Sequence, residues 1–568
     1  MKIKHIFLVF ISLAFLISCQ DEMDYTETTS YSKEQIFSSF SRTTNFVTDI
    51  YGRLDYDYGN YGGGMLASAS DEADYVWATS EIHDFYNGAW SPTNSKSYIW
   101  SDSYAAIRAA NFYLEASEGQ TYEGNKYDKD YEEQMNRFNR YQYEVRFLRA
   151  YYYFMLTRQY GDVPLTKKVL TVSEANSISR TPSDEVFDFI VEECDAIVNK
   201  LPVAYTKDYI SNDKAIGETG RAGKIAVLAL KARALLYKAS PLFNTTNNQS
   251  LWKEAALASK AVIDSCLTYN VKLGAYTDLW GTESYKASEA IFMRRIGDLN
   301  WLESNNIPVG VEGGNSGNCP TQTLVDAYEM QATGMLWNEP GSGYIESKPY
   351  DGRDPRFGMT IVKNGDTKWP SYNDNPIETF EGGLNGQPIS GATTTGYYLR
   401  KYLDASVDLR PNSSNSKRHS WVIFRLAEFY LNYAEATFEA LGSADATDAE
   451  LDMSARDAVN VVRSRTGVNM PPFPIGMNNT EFEKRYRNER MVELAFESHR
   501  FWDVRRWKAG ELFKNIRCMR ITKDSQGNLT YTRTTKTRRW EDKMYLFPIP
   551  DSELRKNKNL TQNPGWGN

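Results

Sequence analysis

The stretch YRNERMVELAFESHRFWDVRRW, Tyr486 to Trp507, interleaves ionisable and apolar residues more densely than any other part of the 568-residue chain. At helical spacing Glu489, Glu493 and Glu497 fall in one i,i+4 row. Arg490 precedes Glu493 by three residues, Arg500 follows Glu497 by three and Asp503 follows Arg500 by three, so each charge has an opposite neighbour one turn away. Met491, Leu494, Ala495, Ser498 and Trp502 form a second row, with Val492, Phe496 and His499 beside it. The pattern predicts one helix, covered on most of its surface. Two uses compete for its charges. Glu493, Glu497 and His499 have the types needed for a carboxylate pair with a base, or for three metal ligands. Against this, Arg490, Arg500, Arg505 and Arg506 are more cations than an acid–base pair needs. An uncompensated buried charge is very costly, and no H-E-x-x-H motif is present. The stretch reads as scaffold.

The run Glu489-Arg490, Glu493-Leu494-Ala495-Phe496-Glu497, Arg500-Phe501-Trp502-Asp503 and Arg505-Arg506-Trp507 closely resembles the C-terminal signature of the SusD/RagB family of outer-membrane nutrient-binding lipoproteins. Similar matches extend over nearly the whole chain. They include Ala69-Ser70-Asp71-Glu72-Ala73, the stretch Asn87 to Asn94, Val145 to Phe154 followed by Tyr160-Gly161-Asp162-Val163-Pro164-Leu165, Arg353-Asp354-Pro355-Arg356-Phe357, Gly396 to Lys401, and Thr561 to Trp566. The resemblance implies a SusD-like fold, a SusC-like TonB-dependent transporter as partner with the helical side toward the barrel, and a captured glycan passed inward. The family also includes receptors for peptides.

The N-terminus carries Lys2 and Lys4 before an apolar run from Ile6 to Ile17, the layout of a secretory signal over residues 1–18, and too short to span a bilayer. Leu16-Ile17-Ser18-Cys19 looks like a lipobox, with Cys19 as the acylated residue. Gln20 to Asp24 begins an acidic tether, residues 19–31, resembling the surface-export signal of such lipoproteins. The expectation is a lipid-anchored, outward-facing protein of the outer membrane. Removing the signal leaves 63 basic against 73 acidic side chains, a balance that argues against a nucleic-acid binder. Cys194, Cys266, Cys319 and Cys518 form no C-x-x-C and are expected to be isolated buried thiols.

The sequence predicts a mainly α chain: a tetratricopeptide-like scaffold of helix pairs with a large irregular insertion and a minor β-hairpin. Predicted helices run over Ser32 to Tyr51, Tyr98 to Leu114, through Arg149, from a Ser183 cap, from Gly220 through Ala239, Trp252 to Cys266, through Arg425 to Ala436, and Ala455 to Arg465. Alanines at Ala226, Ala229 and Ala232 to Ala234 suit close helix pairing. Residues 32–568 read as a single SusD-like domain, with 32–268 and 419–568 as mainly helical scaffold. Residues 269–418, rich in Gly, Asn and Pro, read as a loop-built insertion carrying the ligand face. Alternation around Gln526-Gly527-Asn528 predicts the hairpin.

The mature chain retains only His83, His419 and His499, scattered over three contexts, which leaves little for a His-based metal site or for the base of a nucleophile. Val309 to Gly317 is glycine-rich but lacks the Lys of a phosphate cradle. No cofactor is called for. A glycosidase carboxylate pair stays open, since no two acids are singled out by spacing. Binding is better supported: sugars need flat rings to stack on and planar amides or carboxylates for paired hydrogen bonds. Trp77, Trp90, Asn94, Trp280, Trp301, Trp337, Trp369 and Tyr372 supply these types, and Asp71 adds a carboxylate acceptor. Taken singly, each Trp fits a core position better; together, two or three are expected to form a platform. The function expected is a non-catalytic glycan receptor, with a peptide receptor or a glycoside hydrolase as alternatives.

Overall fold

The computed structural model describes residues 32–205 and 220–567. The expected signal peptide, Cys19 and the tether lie outside the described residues.

The chain opens with α1 (Lys33–Ile36) and α2 (Phe40–Gly52), two helices rather than the single one predicted. Ser39 separates them because its side chain accepts from the Arg42 N–H and caps α2. The strand β1 (Ala73–Tyr75) lies in the loop-rich stretch before α3 (Tyr98–Ala116) and α4 (Tyr131–Tyr160). The 30-residue α4 ends at Gly161, which takes φ of 71°, and Pro164 follows. Next come α5 (Ser183–Ile197), α6 (Lys224–Ala239) and α7 (Gln249–Thr268). Ser183 does not cap α5. Pro182 holds that position, and the Ser183 N–H donates to Asp162 Oδ1 at 2.8 Å.

The insertion contains β2 (Ala290–Leu299), α8 (Trp301–Asn306), β3 (Asn318–Pro320), α9 (Pro355–Thr360), β4 (Ile361–Val362) and β5 (Tyr398–Leu399), and runs into β6 (Lys417–Arg425). The ten-residue β2 pairs antiparallel with β6 and had not been predicted. Register shifts at three places break the period-two pattern that would have marked the pair. The chain then returns to helix in α10 (Leu426–Leu441), α11 (Ala455–Arg463), α12 (Asn479–Glu493) and α13 (His499–Arg506), and closes with the hairpin of β7 (Asn515–Lys523) and β8 (Leu529–Thr537). Each scaffold helix packs on the next, α3 on α4 through to α6 on α7, and α7 then packs on α10 across the insertion. The 150-odd residues between them leave the helical stack uninterrupted. Cys194, Cys266, Cys319 and Cys518 are free and buried.

The opening stretch is not one helix. It breaks after Glu493, with Phe496 at φ 61° and Ser498 at φ 63°, left-handed conformations that side chains other than glycine adopt at a cost of roughly 1–3 kcal/mol each. Ion pairing holds the turn. Arg425, at the junction of β6 and α10, donates Nε to Glu497 (2.7 Å), Nη1 to Glu289 (2.9 Å) and Glu493 (2.7 Å), and Nη2 to the Glu493 carbonyl (2.8 Å). Arg356 of α9 bridges Asp354 (2.7 Å), Glu489 (2.6 Å) and Glu493 (2.8 Å). Arg463 bridges Glu489 and Glu329, each at 2.7 Å; Arg465 joins Glu493 to Glu289; Lys401 donates to Glu497 at 2.7 Å. All are buried. Burial would raise the Glu493 carboxyl, but Arg465, Arg425 and Arg356 overcome it and hold it at about 2.

Asp57 shows the opposite case. It is 3% exposed, accepts from Ser498 Oγ (2.6 Å) and the Leu66 N–H (2.8 Å), and has a second oxygen without a partner. Burial pushes its carboxyl up to about 7.

Two tests follow from these opposite shifts. Arg425→Ala removes a cation shared by Glu289, Glu493 and Glu497, leaving Arg465, Arg356 and Lys401 to hold three buried carboxylates, and is expected to lower unfolding free energy by about 3–5 kcal/mol, read by chemical denaturation. Asp57, with a raised folded pKa, contributes stability that is complete below its ordinary value of 3.8 and is lost as pH rises through about 7. Asp57→Asn is therefore expected to flatten the fall in stability over that window; an unchanged pH profile counts against the assignment.

Candidate functional site

The segment PVGVEGGNSG, residues 308–317, follows α8 and folds back on itself. The Ser316 N–H donates to the Ile307 carbonyl (2.8 Å) and the Val309 N–H to Ser316 Oγ (2.9 Å). Its glycines permit close approaches. A Cβ on Gly310 would sit 2.1 Å from the Leu384 carbonyl oxygen, and one on Gly313 2.4 Å from Leu409 Cβ; both glycines have positive φ. The loop is thus a hub on which 384–391 and 404–415 converge, with the Asn385 amide donating to the Val309 carbonyl at 2.8 Å.

Two rings hang from this hub. Trp77 donates its indole N–H to the Asn315 carbonyl at 2.8 Å, and Tyr372 donates its hydroxyl to the Glu312 carbonyl at 2.8 Å. The two anchors are three residues apart, no more than about 11 Å along the chain. Both rings are half-buried. Gly391 lies flat against Trp77, where a Cβ would meet the indole at 2.6 Å. Trp301, 36% exposed, opens the short helix that feeds the loop, and Asn300 beside it donates to the Asn415 carbonyl at 2.9 Å. Glu312, Asn315 and Arg410 are exposed on the hub and the 404–415 segment beside it. Arg410 lies 5.3 Å from the Tyr372 ring centre and is held by Asp408 at 2.6 Å. The arrangement offers flat apolar faces interleaved with an amide, a carboxylate and a guanidinium.

The other sequence candidates are used elsewhere. Trp90, 3% exposed, packs edge-on against Phe85, Phe547 and Trp566 and is a core residue. Trp369, 5% exposed, has the Arg400 guanidinium 4.5 Å from its ring. Asp71 is sealed in a two-bonded pair with Arg500, both contacts at 2.8 Å. The Asn94 amide is consumed by Asp84 (2.9 Å) and the Ala89 carbonyl (3.1 Å). Trp280 covers buried Lys401, whose ammonium lies 4.6 Å from the ring, and Trp337 carries Arg533 at 3.6 Å. Trp90, Trp369, Asp71 and Asn94 are thereby engaged within the fold, while half-buried Trp280 and Trp337 each have a cation against the ring.

Glu312, Asn315, Asp408 and Arg410 were missed. The glycine density of 309–317 was the one available signal, and sequence reasoning used it only to exclude a phosphate cradle. Glu489, Glu493 and Glu497 lie far from acid–base readiness, each buried and ion-paired. His499 is driven well below its usual range by burial and then by Arg233, Arg490 and Arg425. A cleft of about 480 Å³ is lined by Asp55, Tyr98, Asp102 and Arg294, with Glu81 and Lys96 also on its wall.

A family model described as SusD family matches residues 288–566, and one described as starch-binding associating with outer membrane matches residues 24–236. SusD-like protein P25 of Formosa agariphila is 23% identical, covering 100% of this chain and 99% of that protein. A SusD-like protein of Bacteroides fragilis is 26% identical with a TM-score of 0.72, covering 94% of this chain and 98% of its own. A SusD-like carbohydrate binding protein of the same species is 25% identical with a TM-score of 0.72, covering 93% of this chain and 100% of its own. Among the described residues no helix is long and apolar enough to cross a membrane.

The hub geometry makes one prediction. Gly310→Ala forces a Cβ onto the Leu384 carbonyl and is expected to cost roughly 1–3 kcal/mol of stability, seen as a lowered Tm. Gly281→Ala, also at positive φ but facing open space, is expected to cost less. Equal losses would show that the loop contact has no special weight.

Proposed function

The chain belongs to the SusD-like family, and we propose that it is a surface-exposed, lipid-anchored receptor that binds glycan and hands it, uncleaved, to a SusC-like TonB-dependent transporter of the outer membrane. The observation that carries this reading is that Trp77 and Tyr372 both bond to the one loop 308–317, on which Glu312 and Asn315 are exposed, and that exposed Trp301 opens the helix leading into it. Sugar rings present apolar C–H faces edged by hydroxyls. Rings satisfy the faces, and an amide beside a carboxylate satisfies the edges. The carbohydrate-binding relative of similar fold points the same way. Anchoring rests on the Leu16 to Cys19 lipobox.

The reading needs no bond cleavage. Glu493 and Glu497 are held ionised by buried guanidinium groups, and a carboxylate so held has no proton to give a leaving group. A receptor that must release its cargo needs only modest affinity, which a few stacking contacts supply.

Trp77→Ala and Tyr372→Ala are each expected to weaken glycan binding by up to about tenfold, roughly 1 kcal/mol per stacking contact, with Tm nearly unchanged. Affinity electrophoresis on a polysaccharide panel reads the loss, and circular dichroism reads the fold. Wild-type retention by both variants on every retained glycan, or turnover of oligosaccharide that vanishes on substitution of Glu493 or Glu497, defeats the proposal.

A further inference from the structure

The rings around the hub set what kind of ligand can bind; the charges around them narrow that further. A glycan bearing uronate or sulfate groups is held through Arg or Lys donors free to turn toward it, because charge-assisted and paired hydrogen bonds are the strong ones. The cation nearest Tyr372 is not free. Arg410 donates Nε to both Asp408 oxygens (3.0 and 3.2 Å) and Nη2 to Oδ2 (2.6 Å). The Arg410 backbone N–H also donates to Asp408 Oδ1 at 3.0 Å, so the pair is locked into one turn of chain. Lys368 is likewise paired, with Asp374 at 2.6 Å. Glu312, at the tip of the hub, is exposed and has no ion-pair partner among the described residues. Its charge adds to that of Asp408 in the field at Arg410.

Exposed pairs of this kind contribute little to stability. Their consequence here is availability: Arg410 and Lys368 are already paired, and Glu312, without an ion-pair partner among the described residues, is negative. Building on the glycan reading above, we propose that this face selects an uncharged glycan, with Glu312 and the Arg410–Asp408 pair as its specificity determinants. A neutral polymer stacks on Trp77 and Tyr372 and donates hydroxyls to Glu312. A polyanion meets Glu312 as a like charge and finds the Arg410 guanidinium already held by Asp408.

The test uses the full chain in affinity gels containing neutral polysaccharides (a β-glucan, an α-glucan, a galactan) or acidic ones (alginate, homogalacturonan, a sulfated galactan). Each is run at low salt and at about 0.5 M NaCl, where exposed charges are screened. Retention confined to neutral gels and insensitive to salt is expected. Retention by an acidic gel that falls as salt rises overturns the inference while leaving the glycan reading standing, and retention by none of the gels defeats the glycan reading itself. In a second arm, Asp408→Asn frees Arg410 and is expected to confer salt-sensitive retention on an acidic gel, at least about threefold above wild type. No gain would remove the Arg410–Asp408 pair as a determinant and overturn the proposal.

Discussion

The buried lattice of guanidinium and carboxylate groups around Glu489, Glu493 and Glu497 is the constraint on which the other features depend. Arg356, Lys401, Arg425, Arg463 and Arg465 approach these three acids from four separate parts of the chain, together with Glu289, Glu329 and Asp354. Taking so many charges out of water is unfavourable, and mutual attraction offsets it only when almost every donor finds an acceptor. The lattice therefore tolerates few geometries. It holds Phe496 and Ser498 in left-handed backbone, where a continuing helix would carry Glu497 away from Arg425 and Lys401.

Its second effect is to fasten the insertion. Arg356 and Lys401 belong to the insertion, Arg463 and Arg465 to the end of a scaffold helix, and Arg425 to the strand that leads back to the scaffold. The β2–β6 pair adds a mechanical tie at the same junction. A long stretch with little regular structure is thereby bonded to the helical stack at several points. The 308–317 hub can then present Trp77 and Tyr372 from a fixed base. Sites work best when their supports are rigid, and here charge pairing supplies that rigidity where regular secondary structure is sparse.

The aromatic content divides between two tasks. Trp90, Trp280, Trp337 and Trp369 fill the core or cover cations, and many of the 38 tyrosines are buried with hydroxyls bonded to backbone, as Tyr58 is to the Ser420 carbonyl at 2.8 Å. Trp77, Trp301 and Tyr372 differ in local setting rather than in type. Each has its polar end or its backbone fixed by the hub region and leaves ring surface toward solvent. A ring sealed on all sides by its neighbours, as Trp90 is, has no surface left for a ligand.

Sequence alone determined the helical class, because 3.6-residue periodicity and the Gly161 and Pro164 breaks are local signals. It located the hairpin, through alternation about Gln526-Gly527-Asn528. It also identified Glu489 to Asp503 as scaffold, since arginines in excess of any acid–base need can be counted without coordinates. Tertiary structure decided the rest. Whether a tryptophan is sealed like Trp90 or open like Trp301 depends on residues such as Phe547 and Trp566, hundreds of positions away. The β2–β6 pair was hidden because bulges erase its alternation. The break at Glu493 was hidden because helical spacing alone cannot show that Arg425 and Lys401, from a strand and a loop distant in the chain, hold Glu497 out of the helix.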